Sequence, residues 1–233
     1  MSGHGYGTAV TFKAVLFDLD GTLLHTLPDI ADALNGVLAA HGLPVHGEDD
    51  YRSMVGWGIA HVAELAVPTD RRGEVSVAEI GAEMERAYRA HPLSDSRPFD
   101  GVAELVEALR ETGVPLAVLS NKLHELTVRL VHNTWGEETF TSIHGAKDGV
   151  PRKPDPTAAR LIASELGVEP HEMLFVGDTA IDMETAQVAG MIPVGVSWGY
   201  RDVEELWMHG AATVVSTPAE IRALVAGEAE KTE

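Results

Sequence analysis

Two aspartates with one residue between them, Asp18 and Asp20, follow the first apolar run of the chain. The run, residues 14–17, has the aliphatic and aromatic character of a strand that is buried on both faces. Gly21 then allows a turn, and Thr22 adds a hydroxyl group. Open α/β sheets bind ligands at the carboxyl ends of their strands, so both carboxylates are expected to face one opening. On these residues alone, an ordinary strand and an Asp-Gly turn explain the pattern equally well.

Further polar side chains fall at the ends of later apolar runs or in loops beside them. They are Ser120, Asn121, Lys153, Asp178 and Asp182. If three carboxylates share a pocket, each pair about 4 Å apart repels by roughly 4 kcal/mol near a protein surface, so the cluster requires a cation. Oxygen ligands suit Mg²⁺, and a divalent ion beside Lys153 would bind a phosphoryl group. Each residue alone fits a turn, a helix start or a solvated lysine, but chance rarely places all of them together.

The rest of the chain supplies the elements that must position these groups. From residue 100 onward, helical patterns alternate with buried apolar runs, which predicts an α/β protein with a parallel sheet and helices on both faces. Asp100 is expected to cap the first helix of this series. The strands expected after the first one are residues 115–119, 140–144, 173–176, 193–196 and 213–215.

Between the first two strands, roughly seventy residues show helical spacing and no strand pattern. Thr26 precedes a first-turn proline and is expected to cap the first of these helices. The other helices are expected at residues 48–55, 59–66 and 74–90. The pattern predicts an α/β core domain of residues 1–25 and 97–233 that carries an inserted helical domain of residues 26–96.

Composition restricts the partners and the compartment. The chain has 233 residues, and 36 acidic against 17 basic side chains give a formal charge of −19, which would repel nucleic acid and anionic lipid. No nucleic-acid or membrane partner is therefore expected. The chain has no cysteine, which excludes disulfides and thiol catalysis and fits a reducing compartment. No signal peptide or membrane span is expected, which predicts a cytoplasmic protein, and residues 2–7 are expected to form a loose tail.

Four segments of the chain resemble, in order, the four motifs of the haloacid dehalogenase superfamily. They are Phe17-Asp18-Leu19-Asp20-Gly21-Thr22-Leu23, Leu119-Ser120-Asn121-Lys122, Lys153-Pro154 and Val176-Gly177-Asp178-Thr179-Ala180-Ile181-Asp182. The resemblance covers nearly the whole chain. It implies a Rossmann-like parallel sheet with the first strand at its centre, and it identifies the helical insert as a mobile cap.

The resemblance also implies a role for each motif residue. Asp18 is similar to the nucleophile that attacks phosphorus and becomes an aspartyl phosphate, and its carboxylate also binds Mg²⁺. Asp20 is similar to the general acid that protonates the leaving oxygen and then activates water, while its backbone carbonyl binds the metal. Because the family's dehalogenases lack an acid at this place, Asp20 favours a phosphatase.

The remaining motif residues resemble groups that hold the phosphoryl group and the metal. Ser120 and Lys153 are similar to the family's phosphate-binding groups, and Asn121 to one that assists through its backbone. Asp178 resembles a metal ligand and Asp182 a supporting acid at the metal. The implied function is a Mg²⁺-dependent phosphomonoesterase that acts on a small phosphorylated metabolite.

Within the superfamily, the likeness is greatest to phosphoglycolate phosphatases. It rests on Leu27-Pro28-Asp29, Val55-Gly56-Trp57-Gly58, Arg97-Pro98-Phe99-Asp100-Gly101-Val102, Ser120-Asn121-Lys122 and Trp198-Gly199-Tyr200. One departure is His25-Thr26, where that group usually has Asp-Ser. Arg52 is a candidate for contact with a substrate carboxylate, although a solvated surface arginine is commoner.

Several alternatives share these features. Inorganic pyrophosphatases and β-phosphoglucomutases have much of the same pattern. A phosphoacceptor signalling domain also combines a phosphorylatable aspartate with Mg²⁺ and a lysine, but the Asp18-Leu19-Asp20 spacing and the long helical insert argue against it. The sequence leaves open whether the protein is a monomer or a homodimer.

Overall fold

The computed structural model describes residues 12–227, so the tail expected at residues 2–7 lies outside the described part. The strands are β1 (Ala14–Phe17), β2 (Leu24–His25), β3 (Arg97–Pro98), β4 (Leu116–Leu123), β5 (Ser142–Ala146), β6 (Met173–Gly177), β7 (Ile192–Val196) and β8 (Thr213–Val215). The α-helices are α1 (Leu27–Ala40), α2 (Glu48–Met54), α3 (Ile59–Ala66), α4 (Val77–Ala90), α5 (Val102–Thr112), α6 (His124–Trp135), α7 (Thr157–Leu166), α8 (Ala180–Ala189), α9 (Val203–Met208) and α10 (Pro218–Ala226). None of the helices within residues 12–227 combines the length and the apolar character needed to span a bilayer.

Six of the strands form one parallel sheet in the order β5-β4-β1-β6-β7-β8. Because β1 pairs with β4 on one side and β6 on the other, its four residues are completely enclosed, which explains their apolar character. Strand β1 is therefore one of the two central strands, and the predicted α/β fold class is confirmed.

Alternate residues of β1 face different helical layers. Val15 and Phe17 belong to a hydrophobic cluster that includes α5, α6 and α10. Ala14 and Leu16 belong to a second cluster, formed with α7 and α8 on the other face. This division follows from the two-residue repeat of side-chain direction along a strand. The carboxyl end of β1 is thus held from both sides of the sheet.

The helical insert joins the core through a short ribbon. Strand β2 pairs antiparallel with β3, with Leu24 opposite Pro98 and His25 opposite Arg97. Helices α1–α4 lie between these two strands in the sequence. Their buried apolar residues belong to the same hydrophobic cluster as those of the core. The exact division of the chain into domains at residues 26 and 96 stays a prediction.

One expected helix cap is wrong, and a second lies at the expected position but makes no capping hydrogen bond. Helix α5 begins after Gly101, which has a φ of +78°, and Asp100 is not the capping residue. Thr26 stands at the N-cap of α1, but its side chain makes no capping hydrogen bond. Its hydroxyl instead donates to Asp20 over 2.7 Å, because the tight turn after β1 brings that carboxylate within reach.

Some predicted boundaries also change. Strand β4 continues to Leu123, so Ser120 and Asn121 belong to the strand rather than to the loop after it. Strand β5 starts at Ser142 rather than at residue 140. Helix α4 starts at Val77, with Ser76 as its capping residue. These shifts of two to four residues are typical of element ends that are predicted from sequence.

A single side chain of the core holds the end of α2. The guanidinium group of Arg201 donates hydrogen bonds to the carbonyl oxygens of Arg52, Ser53 and Val55, the last over 2.8 Å. Carbonyl groups at the end of a helix have no partner within the helix, so a cation there is favourable. Arg201 thus fixes one end of the insert against the core.

We expect Arg201→Ala to loosen α2 without unfolding the core, because three carbonyl groups lose their donor. Backbone amides of residues 48–57 should then exchange hydrogen for deuterium at least about tenfold faster, while exchange in β1 and β6 stays unchanged. Arg110→Ala is the matched control, because the described contacts of Arg110 are with Glu107 of the same helix. Unchanged exchange in residues 48–57 would contradict the role of Arg201.

Candidate active site

Three buried carboxylates meet at the carboxyl edge of the sheet. Asp18 follows β1, Asp178 follows β6, and Asp182 lies in the first turn of α8. Each offers one oxygen, and these oxygens lie within 4.8 Å of one another. None of the three residues is more than 6% exposed. The two strands place these acids together because they are neighbours in the sheet.

Glycines make room for the acids. A Cβ atom at Gly21, where φ is +90°, would lie 2.3 Å from Oδ2 of Asp178. A Cβ atom at Gly199 would lie 2.2 Å from Cβ of Asp178, and one at Gly177 would lie 2.3 Å from Cβ of Asp182. Atoms cannot approach so closely, so a side chain at any of these positions would displace an acid.

Hydrogen bonds fix the direction of Asp178. It accepts from the Thr22 hydroxyl over 3.0 Å and from the backbone N–H of Tyr200 over 2.7 Å. The loop after β7 is therefore part of the site, although it contributes only a backbone group to this acid.

Asp182 is oriented by its own helix. Its Oδ2 atom accepts from the backbone N–H of Thr179 over 3.1 Å and from the Thr179 hydroxyl over 2.7 Å, which forms a capping box at the start of α8. The other oxygen of Asp182 remains directed towards the site.

Lys153 lies between two of the acids. Its Nζ atom is 2.7 Å from Oδ1 of Asp18 and 2.6 Å from Oδ1 of Asp182, and the side chain is 3% exposed. The side chain of Asn121 holds the backbone of Lys153 at both ends: Oδ1 accepts from its N–H over 2.9 Å, and Nδ2 donates to its carbonyl over 3.1 Å. The family resemblance gives Asn121 a backbone role, whereas here its side chain positions the lysine loop.

The charges of this group do not balance. Three carboxylates (−3) and one ammonium group (+1) leave a net charge of −2 when all are ionised. Burial raises the pKa of Asp18 well above its usual value, against the opposing effect of Lys153. Burial also raises the pKa of Asp178 to about 7, and the Asp182 carboxylate adds to the rise. Burial lowers the pKa of Lys153, but Asp18 and Asp182 outweigh this effect, and the net pKa is raised.

These residues fit a hard divalent cation. The available ligand atoms are carboxylate oxygens, which Mg²⁺ and Ca²⁺ prefer. The two positive charges of such an ion would neutralise the net charge of −2. Asp18, Asp178 and Asp182 could hold such an ion. The Asp20 carboxylate is not part of this group, and the expected contact of its backbone carbonyl with a metal stays a prediction.

Asp20 instead forms a pair with Lys122. The Lys122 ammonium group lies 2.8 and 2.9 Å from the two oxygens of Asp20, which also accepts from Thr26. Burial lowers the pKa of Lys122, but Asp20 outweighs this effect and the pKa is raised, so the lysine is charged. Thr26 is held in turn by the Tyr200 hydroxyl, which accepts from its backbone N–H over 2.9 Å.

Lys122 was not among the site residues predicted from the sequence. The signal was present, because Lys122 belongs to the Ser120-Asn121-Lys122 segment on which the resemblance rests. A lysine is rarely buried without a charged partner, so the burial of Lys122 agrees with its pairing to Asp20. Ser120 is also buried, and its Oγ atom accepts from the backbone N–H of Lys122 over 3.2 Å.

Two side chains singled out in the sequence lie at the edge of the site. His25 is 3.5 Å from the Tyr200 hydroxyl, and burial lowers its pKa. The guanidinium carbon of Arg52 lies 5.9 Å from the centre of the Tyr200 ring, and Arg52 is exposed. Arg52 does not line the cavity that contains Asp18 and Lys153.

That cavity, of about 90 Å³, lies between the core and the insert. The core lines it with polar groups that include Asp18, Asp20, Ser120, Asn121, Lys122 and Lys153. The insert lines it mainly with apolar side chains: Ile30, Leu34, Val55, Ile59, Val62 and the ring of Tyr88. Glu85 is the only charged side chain that the insert adds to the described lining. The polar side of the cavity thus belongs to the core, and the mainly apolar side belongs to the insert.

Comparison with known families decides the classification. The model of the family described as haloacid dehalogenase-like hydrolase matches residues 12–190. The chain belongs to this family. The match includes all four motif segments and the whole helical insert, so the resemblance inferred from the sequence is confirmed.

Haloacid dehalogenase-like hydrolases with assigned names align with most of the chain. A phosphoglycolate phosphatase of Chromobacterium violaceum is 34% identical over 218 residues, which are 90% of this chain and 94% of that protein. An N-acetylmuramic acid 6-phosphate phosphatase of Pseudomonas aeruginosa is 34% identical over 211 residues, 90% of this chain and 92% of that protein. The crystal structure of a Lactobacillus delbrueckii subsp. bulgaricus protein superposes with a TM-score of 0.84 at 29% identity, over 92% of this chain and 98% of that one.

We expect Mg²⁺ to stabilise the folded protein, because a divalent ion neutralises the buried acids. An excess of about 100 times the dissociation constant should raise Tm by about 5–10 °C relative to EDTA-treated protein. Asp178→Asn should abolish this rise, whereas Asp49→Asn on the exposed surface of α2 should retain it. Thermal melts followed by circular dichroism measure both. An equal rise in Asp178→Asn would exclude the three-acid site.

The raised pKa of Asp178 makes cation binding dependent on pH. Because the ion binds the ionised carboxylate, Mg²⁺ must displace a proton below pH 7, and its affinity rises with pH until Asp178 is fully ionised. The affinity at pH 6 should be at least about tenfold weaker than at pH 8. Titration calorimetry in two buffers of different ionisation enthalpy would measure both the affinity and the protons released. An affinity that stays constant from pH 6 to pH 8 would contradict the raised pKa.

Proposed function

We propose that the protein is a Mg²⁺-dependent phosphatase that hydrolyses the monoester of a small phosphorylated metabolite through an aspartyl phosphate. The observation that carries the proposal is the position of the Lys153 ammonium group, 2.7 Å from Asp18 and 2.6 Å from Asp182. A lysine and a bound cation together would form a positively charged binding site for the phosphoryl group, next to a carboxylate nucleophile.

In this proposal Asp18 attacks the phosphorus atom. Its Oδ1 atom is occupied by Lys153, and its Oδ2 atom accepts no hydrogen bond from residues 12–227, so Oδ2 is the free nucleophilic oxygen. A new Asp18 Oδ2–phosphorus bond forms as the bond from phosphorus to the ester oxygen breaks. Lys153 and Ser120 bind the non-bridging oxygens of the phosphoryl group. When bound, the metal ion neutralises further negative charge on these oxygens.

Asp20 acts as the general acid in the first half-reaction and as the general base in the second. It donates a proton to the departing alkoxide, which leaves as a neutral alcohol, and then takes a proton from the water that attacks the aspartyl phosphate. That second step breaks the Asp18–phosphorus bond, releases inorganic phosphate and restores both carboxyl groups. Thr26 and Lys122 hold Asp20 in place through the hydrogen bonds described above.

The insert acts as a cap in this scheme. Closure of residues 26–96 over the cavity excludes water and strengthens the electrostatic interactions inside it. The cavity of about 90 Å³ is smaller than an engineered protein cavity of roughly 150 Å³ that binds benzene, which favours a leaving alcohol of few atoms. Among the names of the relatives, phosphoglycolate is such an ester. A cytoplasmic location fits the absence of cysteine.

We expect Asp18→Asn to lower phosphate release by at least about 10⁴-fold, because an amide is not a nucleophile. The fold should survive, since the amide oxygen still accepts from Lys153. Asp20→Asn should lower the rate by about 10²- to 10⁴-fold, because it removes proton transfer. The assay is continuous release of inorganic phosphate from a phosphate monoester with Mg²⁺.

The exposed variant Asp49→Asn serves as the control and should retain the activity of the unmodified protein. Near-normal turnover by either active-site variant would refute the assigned roles. Incorporation of one phosphate per chain, with no continued release, would instead indicate a phosphoacceptor.

A further inference from the structure

The side chain of Asn121 connects the core with the insert. Asn121 is buried in β4, and its amide makes the two hydrogen bonds to the backbone of Lys153 described above. Its Nδ2 atom also donates to the carbonyl oxygen of Gly56, in the insert, over 2.9 Å. A side-chain amide has two N–H donors, so one donor of Asn121 serves the core and the other serves the insert.

Gly56 belongs to the loop between α2 and α3, residues 55–58, which we call the docking loop. Gly56 has a φ of +123° and Gly58 a φ of +90°, conformations that favour glycine. A Cβ atom at Gly58 would lie 2.5 Å from Nη1 of Arg152 and 3.6 Å from the carbonyl oxygen of Asn121. The docking loop therefore approaches the core with its backbone, and a side chain at Gly58 would hold it away.

Two arginines hold the docking loop on either side of Gly56 in the sequence. Arg201 donates to the Val55 carbonyl over 2.8 Å, and Arg152 donates to the Trp57 carbonyl over 3.3 Å. Neither of these hydrogen bonds involves Lys153. Asn121 differs from both arginines, because the same buried amide contacts the docking loop and the backbone of Lys153.

The orientation of the Asn121 amide depends on its partners. The terminal torsion of an asparagine side chain has no sharp minimum, so hydrogen bonds rather than a rotamer preference fix the plane of the amide. The Gly56 carbonyl accepts one of the three hydrogen bonds that fix it. Loss of that acceptor frees the plane to rotate, and rotation weakens the two hydrogen bonds to Lys153. The ammonium group of Lys153 must remain within 2.7 Å of Asp18, so such a movement affects the nucleophile.

We infer that Asn121 is a positioning residue that transmits docking of the insert to Lys153 through the hydrogen bond between its Nδ2 atom and the Gly56 carbonyl. The docked loop fixes the amide, and the amide fixes the backbone of Lys153 beside Asp18. The consequence for catalysis rests on the proposed phosphatase activity, whereas the structural link does not depend on it.

The first test measures hydrogen–deuterium exchange by NMR. Asn121→Ala should raise exchange in the docking loop about tenfold, although residue 121 belongs to the core. Arg201→Ala removes a hold on the docking loop that does not involve Lys153. It should nevertheless raise exchange of the Lys153 N–H about threefold, because that group donates to Asn121. Arg110→Ala is the control and should change neither region.

Two exchange results would overturn the inference. One is unchanged exchange of the docking loop in Asn121→Ala. The other is a rise in Arg201→Ala that is confined to the docking loop and leaves the Lys153 N–H protected. Should Asn121→Ala not fold, Asn121→Asp decides, because it keeps the shape and the acceptor for Lys153 but lacks the N–H that reaches Gly56. Unchanged exchange of the docking loop in Asn121→Asp would equally overturn the inference.

The second test is a double-mutant cycle on kcat, measured as phosphate release from saturating 2-phosphoglycolate with Mg²⁺. Asn121→Ala should lower kcat about 10- to 100-fold, because Lys153 is misplaced beside the nucleophile. Arg201→Ala should lower kcat about 3- to 10-fold when Asn121 is present, and about twofold or less in Asn121→Ala. The charge of Arg201 also acts on Asp178, but this direct effect is the same in both backgrounds.

A merely structural role for Asn121 gives a different result. Arg201→Ala then lowers kcat by the same factor in both backgrounds, which would overturn the inference and leave the phosphatase assignment intact. If the unmodified protein releases phosphate neither from 2-phosphoglycolate nor from p-nitrophenyl phosphate, the proposed function fails. The exchange measurements still decide in that case whether Asn121 links the docking loop to Lys153.

Discussion

The site depends on the balance between buried acids and one buried lysine. Asp18, Asp178 and Asp182 are forced together by two neighbouring strands and one helix start, and Lys153 neutralises only part of their charge. Such a cluster is unfavourable in the absence of a further cation. The same excess of negative charge would favour the binding of a divalent cation, which could then attract a negatively charged phosphoryl group.

The parallel sheet and the family were accessible from the sequence. Buried strands give continuous apolar runs, and residues such as Asp18 and Asp178 stand directly after them, so their common edge follows from the topology alone. The ribbon of β2 and β3 was not accessible, because two-residue strands have no periodicity. Thr26 stands at the predicted N-cap position, but the sequence does not show that its hydroxyl donates to Asp20 instead of accepting from the helix.

Other groups of the site cannot be recognised from the type of residue that supplies them. The loop after β7 holds Asp178 with a backbone N–H, which every residue except proline possesses. Lys122 was overlooked for a different reason: its charge suggests a surface position, and only the extension of β4 to Leu123 shows that it is enclosed. Ser120 and Asn121 of the same strand were recognised because their residue types fitted a polar loop at a strand end, whereas a lysine there suggested only a solvated side chain.

Tyr200 and Arg201 are consecutive residues with different tasks. The N–H of Tyr200 orients Asp178, and the side chain of Arg201 grips the carbonyl groups at the end of α2. These two adjacent residues therefore connect Asp178 to the end of α2 in the insert. By thermodynamic reciprocity, if a cation bound at Asp178 favoured the docked position of the insert, docking of the insert would raise the affinity for the cation by the same factor. Neutralisation of the three buried acids and closure of the insert over the cavity would then be parts of the same equilibrium.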